Sequence, residues 1–296
     1  MDPTAIQRVR SFNRIVAEEI GALDDHFLGR DRPMAESRLL WEIGPDGAEV
    51  RELRGRLGLD SGYLSRVLRS LEHQRLVVVR PSPEDARVRR AELTPKGLAE
   101  RAELDRRSDD VAARILEPLS ESQREALVDA MSKVDRLLQA AMVHFAIEDP
   151  ASADARWCVA QYFAELDTRF DAGFDPARSI LPDLGELKPP VGAFVIARLR
   201  SRPIGCGALK FYDDKSAYLK RMWLAPDARG LGLGRRLLLE LERVAREAGA
   251  SVVRLETNRA LTEAISLYRR EGYAEVAPFN DEPYGDYWFE KRLARD

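Results

Sequence analysis

The sequence predicts two domains, the first mainly α with one β-hairpin and the second α/β. Three observations carry this. The 296 residues exceed what one hydrophobic core usually serves, so two cores of roughly 150 residues each are expected. Up to about residue 145 apolar residues recur at helical spacing, interrupted by one extended pair, whereas beyond it helices and strands alternate. Between the two, Glu148-Asp-Pro-Ala-Ser-Ala-Asp154 is acidic and rich in small residues, which reads as a linker over 146–154.

With 45% hydrophobic and 33% charged residues, the chain is too apolar for disorder and holds no long uncharged apolar run that would span a membrane. Its start lacks the basic, apolar and small-residue succession of a secretory signal, so a cytoplasmic location is expected. Cys158 and Cys206 are far apart in sequence and have no neighbouring His, which supports neither a disulfide framework nor a zinc site. The net charge of -3 argues against a generally basic coat. From Arg51 to Arg101, however, 12 Lys/Arg stand against 7 Asp/Glu, a local charge of +5.

In the first domain Val9, Phe12, Ile15, Val16, Ile20, Leu23 and Phe27 predict a helix over about 8–28. A second helix runs over 34–44, and a third carries Val50, Leu53 and Leu57 before Gly58. Asp60 or Ser61 caps the next, whose apolar stripe is Leu64, Val67, Leu68 and Leu71. Residues 76–80 and 87–93 are extended about a turn over 81–85, hence a hairpin. Thr94 and Pro95 read as cap and first residue of a long polar helix, and Ser120 with Gln123 as the capping box of the last one. In the second domain helices are predicted over 156–170, 235–248 and 262–271, and strands over 192–199, 204–211, 217–224, 252–257 and 287–293.

A helix, a short turn, an amphipathic helix and a basic hairpin compose a winged helix-turn-helix. Ser61, Gly62 and Ser65 are small enough to let their helix approach base edges in a major groove, where Arg66 and Arg69 meet phosphates or guanine acceptors. Arg80, Arg87 and Arg89 extend the same charge along the hairpin. Solvent-facing arginines are the plainer reading of each residue alone. Asp85-Ala-Arg87-Val-Arg-Arg-Ala-Glu-Leu93-Thr94-Pro-Lys-Gly97, however, resembles the wing signature of MarR-type regulators, and the resemblance covers residues 1 to about 143. It implies that Asp85 holds the wing and Arg87 touches double-stranded DNA at a pseudo-palindromic operator. It also implies that the first and last helices build a homodimer, although an apolar stripe by itself equally suits an intramolecular core.

The second domain's main chemical signal is Arg229-Gly230-Leu231-Gly232-Leu233-Gly234-Arg235-Arg236, between a strand and an amphipathic helix. Glycines let the backbone approach an anion, successive N–H groups point at it, and the helix N-terminus adds a positive dipole end. Arg235 and Arg236 add charge. A dinucleotide fingerprint needs glycine where Arg235 stands, and a P-loop needs a Gly-Lys-Ser/Thr that is missing.

Together with Met222-Trp223-Leu224-Ala-Pro226, Leu255-Glu-Thr-Asn258 and Ala264-Ile-Ser-Leu-Tyr268-Arg-Arg-Glu-Gly272-Tyr273, this loop resembles the Gcn5-related N-acetyltransferase (GNAT) superfamily over about 150–296. The resemblance implies a mixed sheet, acetyl-CoA as cosubstrate, no metal, and direct transfer to a small-molecule or protein amine. Met222, Trp223, Leu224, the loop, Asn258 and Tyr268 become candidate coenzyme contacts. The Leu224 N–H would polarise the thioester carbonyl, and Tyr268 would protonate the leaving thiolate, unless it is only an aromatic packing the helix to the sheet. Two departures stand out. Related sequences often carry a catalytic Glu where Tyr218 stands, which leaves the base unassigned, and many place an Asn where Leu261 stands. Three functions follow: a bifunctional MarR–GNAT regulator and enzyme with domains over 1–145 and 155–296, a transcription factor that only senses acetyl-CoA, or an enzyme that keeps the winged helix to dimerise.

Overall fold

Helix α1 (Pro3–Glu19) starts where Asp2 accepts the Thr4 N–H at 2.9 Å and Pro3 supplies a preset φ. The structure is a computed structural model that describes residues 2–21, 27–83 and 85–294. Contacts divide it into two units, Met1–Met131 and Ser132–Asp296. The helix expected over 8–28 is shorter than its apolar pattern, because Gly21 takes φ 63° and ends it; Leu23 lies outside the described residues. Phe27 sits instead in a 3-10 turn, Phe27–Gly29, and is buried.

Helix α2 (Met34–Ile43), strand β1 (Ala48–Glu49), helix α3 (Val50–Leu57) and helix α4 (Ser61–His73) follow. Gly58, at φ 63°, closes α3, and Asp60 caps α4 by accepting the Tyr63 N–H at 2.8 Å. Strands β2 (Val77–Pro81) and β3 (Arg89–Leu93) form the expected hairpin, with β1 on the far side of β3. Helix α5 (Pro95–Leu116) opens at Thr94, whose hydroxyl accepts the Gly97 N–H. A Cβ at Gly97 would stand 2.0 Å from the Leu76 carbonyl oxygen, so only glycine lets α5 start this close to β2. Leu39, Leu40, Leu53, Leu64, Leu71 and Leu104 fill the core beneath.

Helix α6 (Glu121–Ala141) carries the predicted Ser120–Gln123 capping box. Large apolar side chains stand exposed on α1 (Ile6, Val9, Phe12, Ile15) and on α6 (Val128, Met131, Leu137, Leu138). The segment expected as the end of the first domain and the start of a linker differs: it forms strand β4 (Val143–Ile147), antiparallel to the next strand. The order continues with α7 (Ala153–Arg169), β5 (Gly192–Leu199), β6 (Arg202–Phe211), β7 (Ser216–Leu224), α8 (Leu233–Glu247), β8 (Val252–Thr257), α9 (Thr262–Arg270), β9 (Ala274–Val276) and β10 (Tyr287–Arg292).

Among the described residues the second unit has one mixed sheet, ordered β4-β5-β6-β7-β8-β10-β9, in which the β7–β8 pair alone is parallel. Helix α8 buries Leu237, Leu238 and Leu241 on it, and Gly207 makes room, since a Cβ there would lie 2.5 Å from Leu241 Cδ1. Cys158 on α7 and Cys206 on β6 are neighbouring, fully buried thiols.

Two irregularities open the sheet. Strand β7 pairs with β8 only over Ser216–Tyr218, after which the two part. At the same height β7 bulges: Cys206 faces Trp223 and Ala208 faces Lys220, so Arg221 and Met222 together oppose Gly207, and Arg221 takes φ 57°. The wedge between β7 and β8 is the setting of the site. No described helix is long and apolar enough to cross a membrane.

Candidate functional site

The glycine loop runs from the end of β7 into α8 and borders a cleft of about 520 Å³. Gly230 and Gly232 have φ 77° and 74°, a region costly for any other residue, and a Cβ on either would meet no protein atom within 4 Å. Gly232 is also the N-cap of α8, and no side chain caps that helix, so its first N–H groups are free to face an anion. Leu231 and Leu233 pack into the core and offer the loop only their backbone.

The loop's arginines differ in their use. Arg235 pairs with Glu271 at 2.7 Å while remaining 59% exposed at the cleft. Arg229 turns back, donating from Nε to the Leu224 carbonyl at 3.0 Å and from Nη2 to Glu165, and so braces the loop against β7. Arg236, expected to add charge at the loop, points elsewhere: it donates to the carbonyls of Ala140 and, at 2.8 Å, Val143. Met222, Trp223, Leu224, Gly234 and Tyr268 complete this side of the cleft.

A second, smaller cavity of about 80 Å³ lies behind it, and Tyr162, Leu166, Met222, Leu261, Ala264 and Tyr268 line both. Tyr268 is buried, its hydroxyl 3.9 Å from Met222 Sδ, and its ring packs on Tyr273 and Phe289 at 5.7 and 5.9 Å. Burial holds this hydroxyl well above the usual tyrosine range, with Glu256 adding to the effect. Asn258 faces the smaller cavity, where its amide donates to Tyr284 O at 3.0 Å and accepts the Ala260 N–H at 2.9 Å. It does not line the larger cleft beside the glycine loop.

Sequence reasoning missed the carboxylate of this cavity. Tyr218 stands where a Glu was sought, but its hydroxyl donates to Glu256, which reaches over from β8. Lys220 also pairs with Glu256, and with Glu282 at 3.5 Å, while Asn280 donates to the Tyr218 hydroxyl. Burial pushes Glu256 up to about 8, helped by Glu282, and pushes Lys220 down to about 8. The signal was present in the alternation of β8, where Val253, Leu255 and Thr257 are buried and Glu256 falls on the opposite face. Among the described residues no group of three or more His, Cys, Asp or Glu could hold a metal ion.

In the first unit α4 exposes Ser61, Gly62, Arg66 and Arg69, with Ser65 half-buried and hydrogen-bonded to Ser61 O. Arg80 and Arg89 are exposed on the hairpin. Asp85 accepts the Arg87 N–H at 2.9 Å and its guanidinium at 3.2 Å, bonds that hold the carboxyl below its usual range and shape the tip. The Arg87 side chain remains 90% exposed. Among the described residues Arg66, Arg69, Arg80 and Arg89 have no carboxylate in ion-pair reach.

Comparison with known proteins agrees with both units. The acetyltransferase (GNAT) family matches residues 156–273 and the MarR family residues 30–88. The IAA acetyltransferase of Azospirillum brasilense is 42% identical over 130 residues, covering 43% of this chain and 82% of that protein. An uncharacterized N-acetyltransferase of Schizosaccharomyces pombe is 28% identical over 134 residues, covering 44% and 80%. A solved GNAT acetyltransferase of Staphylococcus aureus superposes with a TM-score of 0.44 at 18% identity, over 51% of this chain and 99% of that one. The chain belongs to the GNAT acetyltransferase family and carries, in the same polypeptide, a domain of the MarR family.

Proposed function

We propose that the second unit binds acetyl-CoA and transfers its acetyl group to an amine, while the first binds double-stranded DNA as a homodimer. The observation that carries the enzymatic half is the uncapped start of α8, with Gly230 and Gly232 left-handed and open toward the cleft. Bound there, the coenzyme would supply the acetyl thioester. The backbone of residues 229–235 would hold its pyrophosphate, with Arg235 adding charge. Ala225 donates its N–H to Ile204 O on β6, so the Leu224 N–H, one residue earlier, lies on the opposite edge of β7 and faces the wedge. It is our candidate to polarise the thioester carbonyl, with Tyr268 as the proton donor to sulfur and Glu256 as the base.

The sensing alternative drew on the missing Glu at Tyr218; Glu256, hydrogen-bonded to that same tyrosine, favours catalysis. A direct test incubates the full chain with acetyl-CoA and amines and follows free thiol. Gly232→Val is expected to abolish acetyl-CoA binding by calorimetry, because a branched side chain would fill the cradle and strain φ 74°. Unchanged affinity would remove the loop from the site.

For the first unit the exposed apolar residues of α1 and α6 suit a homodimer seam, and the exposed arginines of α4 and the wing suit phosphate and base contacts. We assign DNA binding and dimerisation to the region up to α6, and acetyl transfer to the region from β4 onward. Half-sites are expected about one helical turn apart. Arg87→Ala should weaken the complex roughly tenfold and lower the slope of log affinity against log salt by about one. A salt-insensitive complex, or wild-type affinity in the variant, would defeat this reading.

A further inference from the structure

The smaller cavity carries charge that acetyl transfer by itself does not require. At one end a single ammonium, Lys220, stands between two carboxylates, Glu256 and Glu282, all three buried or nearly so. Glu282 is further held by the Ser179 hydroxyl at 3.1 Å and the Ile180 N–H at 2.9 Å. This end therefore sets two carboxyl groups against one ammonium, so a second cation bound here would hold Glu256 in the ionised form that burial alone disfavours.

The opposite charge stands in Arg221, which lines the same cavity and is only 8% exposed. Its Nη2 donates to Pro182 O at 3.1 Å, its buried Nε has no partner, and the Phe163 ring lies 6.0 Å from its guanidinium. Among the described residues no carboxylate is within ion-pair reach of it. A buried guanidinium with unused donors and no counter-anion is costly, and a planar anion relieves that cost through paired hydrogen bonds. Arg221 is also fixed in place, since it occupies the bulge of β7 at φ 57°.

We propose that the amine acceptor is a small amino acid bound as its zwitterion, its carboxylate on Arg221 and its ammonium at Glu256. The proposal rests on the acetyl-transfer reading above. The cavity of about 80 Å³ leaves little room beyond an amino-acid backbone, and the rings of Phe163, Phe174 and Tyr284 along one wall suit an apolar side chain. In the transfer, Glu256 takes one proton from the ammonium, and the freed lone pair forms the C–N bond to the acetyl carbon. The C–S bond breaks as sulfur takes the hydroxyl proton of Tyr268. The second proton leaving nitrogen restores that hydroxyl, and the proton on Glu256 passes to solvent. The products are an N-acetylamino acid and a free thiol.

The test uses the full chain at saturating acetyl-CoA and compares kcat/KM for glycine, alanine and valine with that of each one's carboxamide. The acids are expected to exceed their amides by about tenfold to hundredfold, although the less basic amide is the more often neutral. Arg221→Met is expected to erase the preference and Arg221→Lys to keep part of it. Because Arg221 sits buried in a bulge, the wild-type comparison stands even if the variants fail to fold. A second readout needs no turnover: N-acetylalanine should bind at least tenfold more tightly than N-acetylalaninamide by calorimetry. Amides that react as fast as acids, or bind as tightly, overturn the subsite. Acid-selective binding without acetylation of any amine would leave the subsite standing and bring down the transferase reading instead.

Discussion

Tyr268→Phe is expected to lower kcat about 10² to 10⁴-fold while leaving acetyl-CoA affinity nearly unchanged, the usual size of a lost general acid. The expectation is differential. A thioester sulfur needs no proton in the ground state, but on expulsion it gathers charge that a hydroxyl can quench. Burial keeps the Tyr268 hydroxyl protonated until that moment, and it stands between the two cavities beside Met222 Sδ. Phenylalanine preserves the ring contacts with Tyr273 and Phe289, so folding and chemistry are separated by one atom. Single-turnover kinetics with a good acceptor would measure the step. A wild-type rate with chemistry limiting would leave Tyr268 as packing alone.

Glu256→Gln should cost a similar factor and, in addition, change the shape of the pH profile. With Glu256 pushed up to about 8, the fraction able to accept a proton rises as pH climbs through that value, so kcat/KM should rise with it. The groups facing this carboxyl are Tyr218 and Lys220 from β7, Asn280 and Glu282 from the loop before β10, Tyr268 from α9 and Tyr162 from α7. Lys220, pushed down to about 8, exchanges charge with it over the same range. In Glu256→Gln the limb set by Glu256 should vanish, leaving the titrations of Lys220 and of the acceptor amine. Should the variant keep both the rate and the limb, the base lies elsewhere.

Much of this was legible in the chain because local chemistry and the fold agreed. The Thr94-Pro95 start, the Ser120–Gln123 box, the continuous apolar run of β5 and the alternation of β8 are local signals that nothing overrides. Strand β4 was hidden because Val143–Ile147 follows α6 after a single residue, with no glycine or proline to mark the change. Its strand state depends on β5, a partner some fifty residues away in sequence. The direction of Arg236, expected only to add charge at the loop, was hidden for the same reason, since its partners lie on the chain around β4. In the site, the glycine loop announced itself by composition, whereas Glu256 acquires its role only from Tyr218 and Lys220 on the neighbouring strand.

The two cysteines have a consequence for how this protein can be followed. Both thiols belong to the second unit and are fully buried, Cys158 on the inner side of α7 and Cys206 in β6. In the native state they should be silent toward a bulky thiol reagent, so coenzyme release can be read against a flat background. When the sheet opens they become reactive together, and nothing in the first unit contributes a signal, because the chain has no other cysteine. The labelling rate thus reports the opening of the acetyltransferase unit alone. Ligand added to the first unit changes that rate only if it stabilises the second, which makes the pair a built-in gauge of energetic linkage between the two halves.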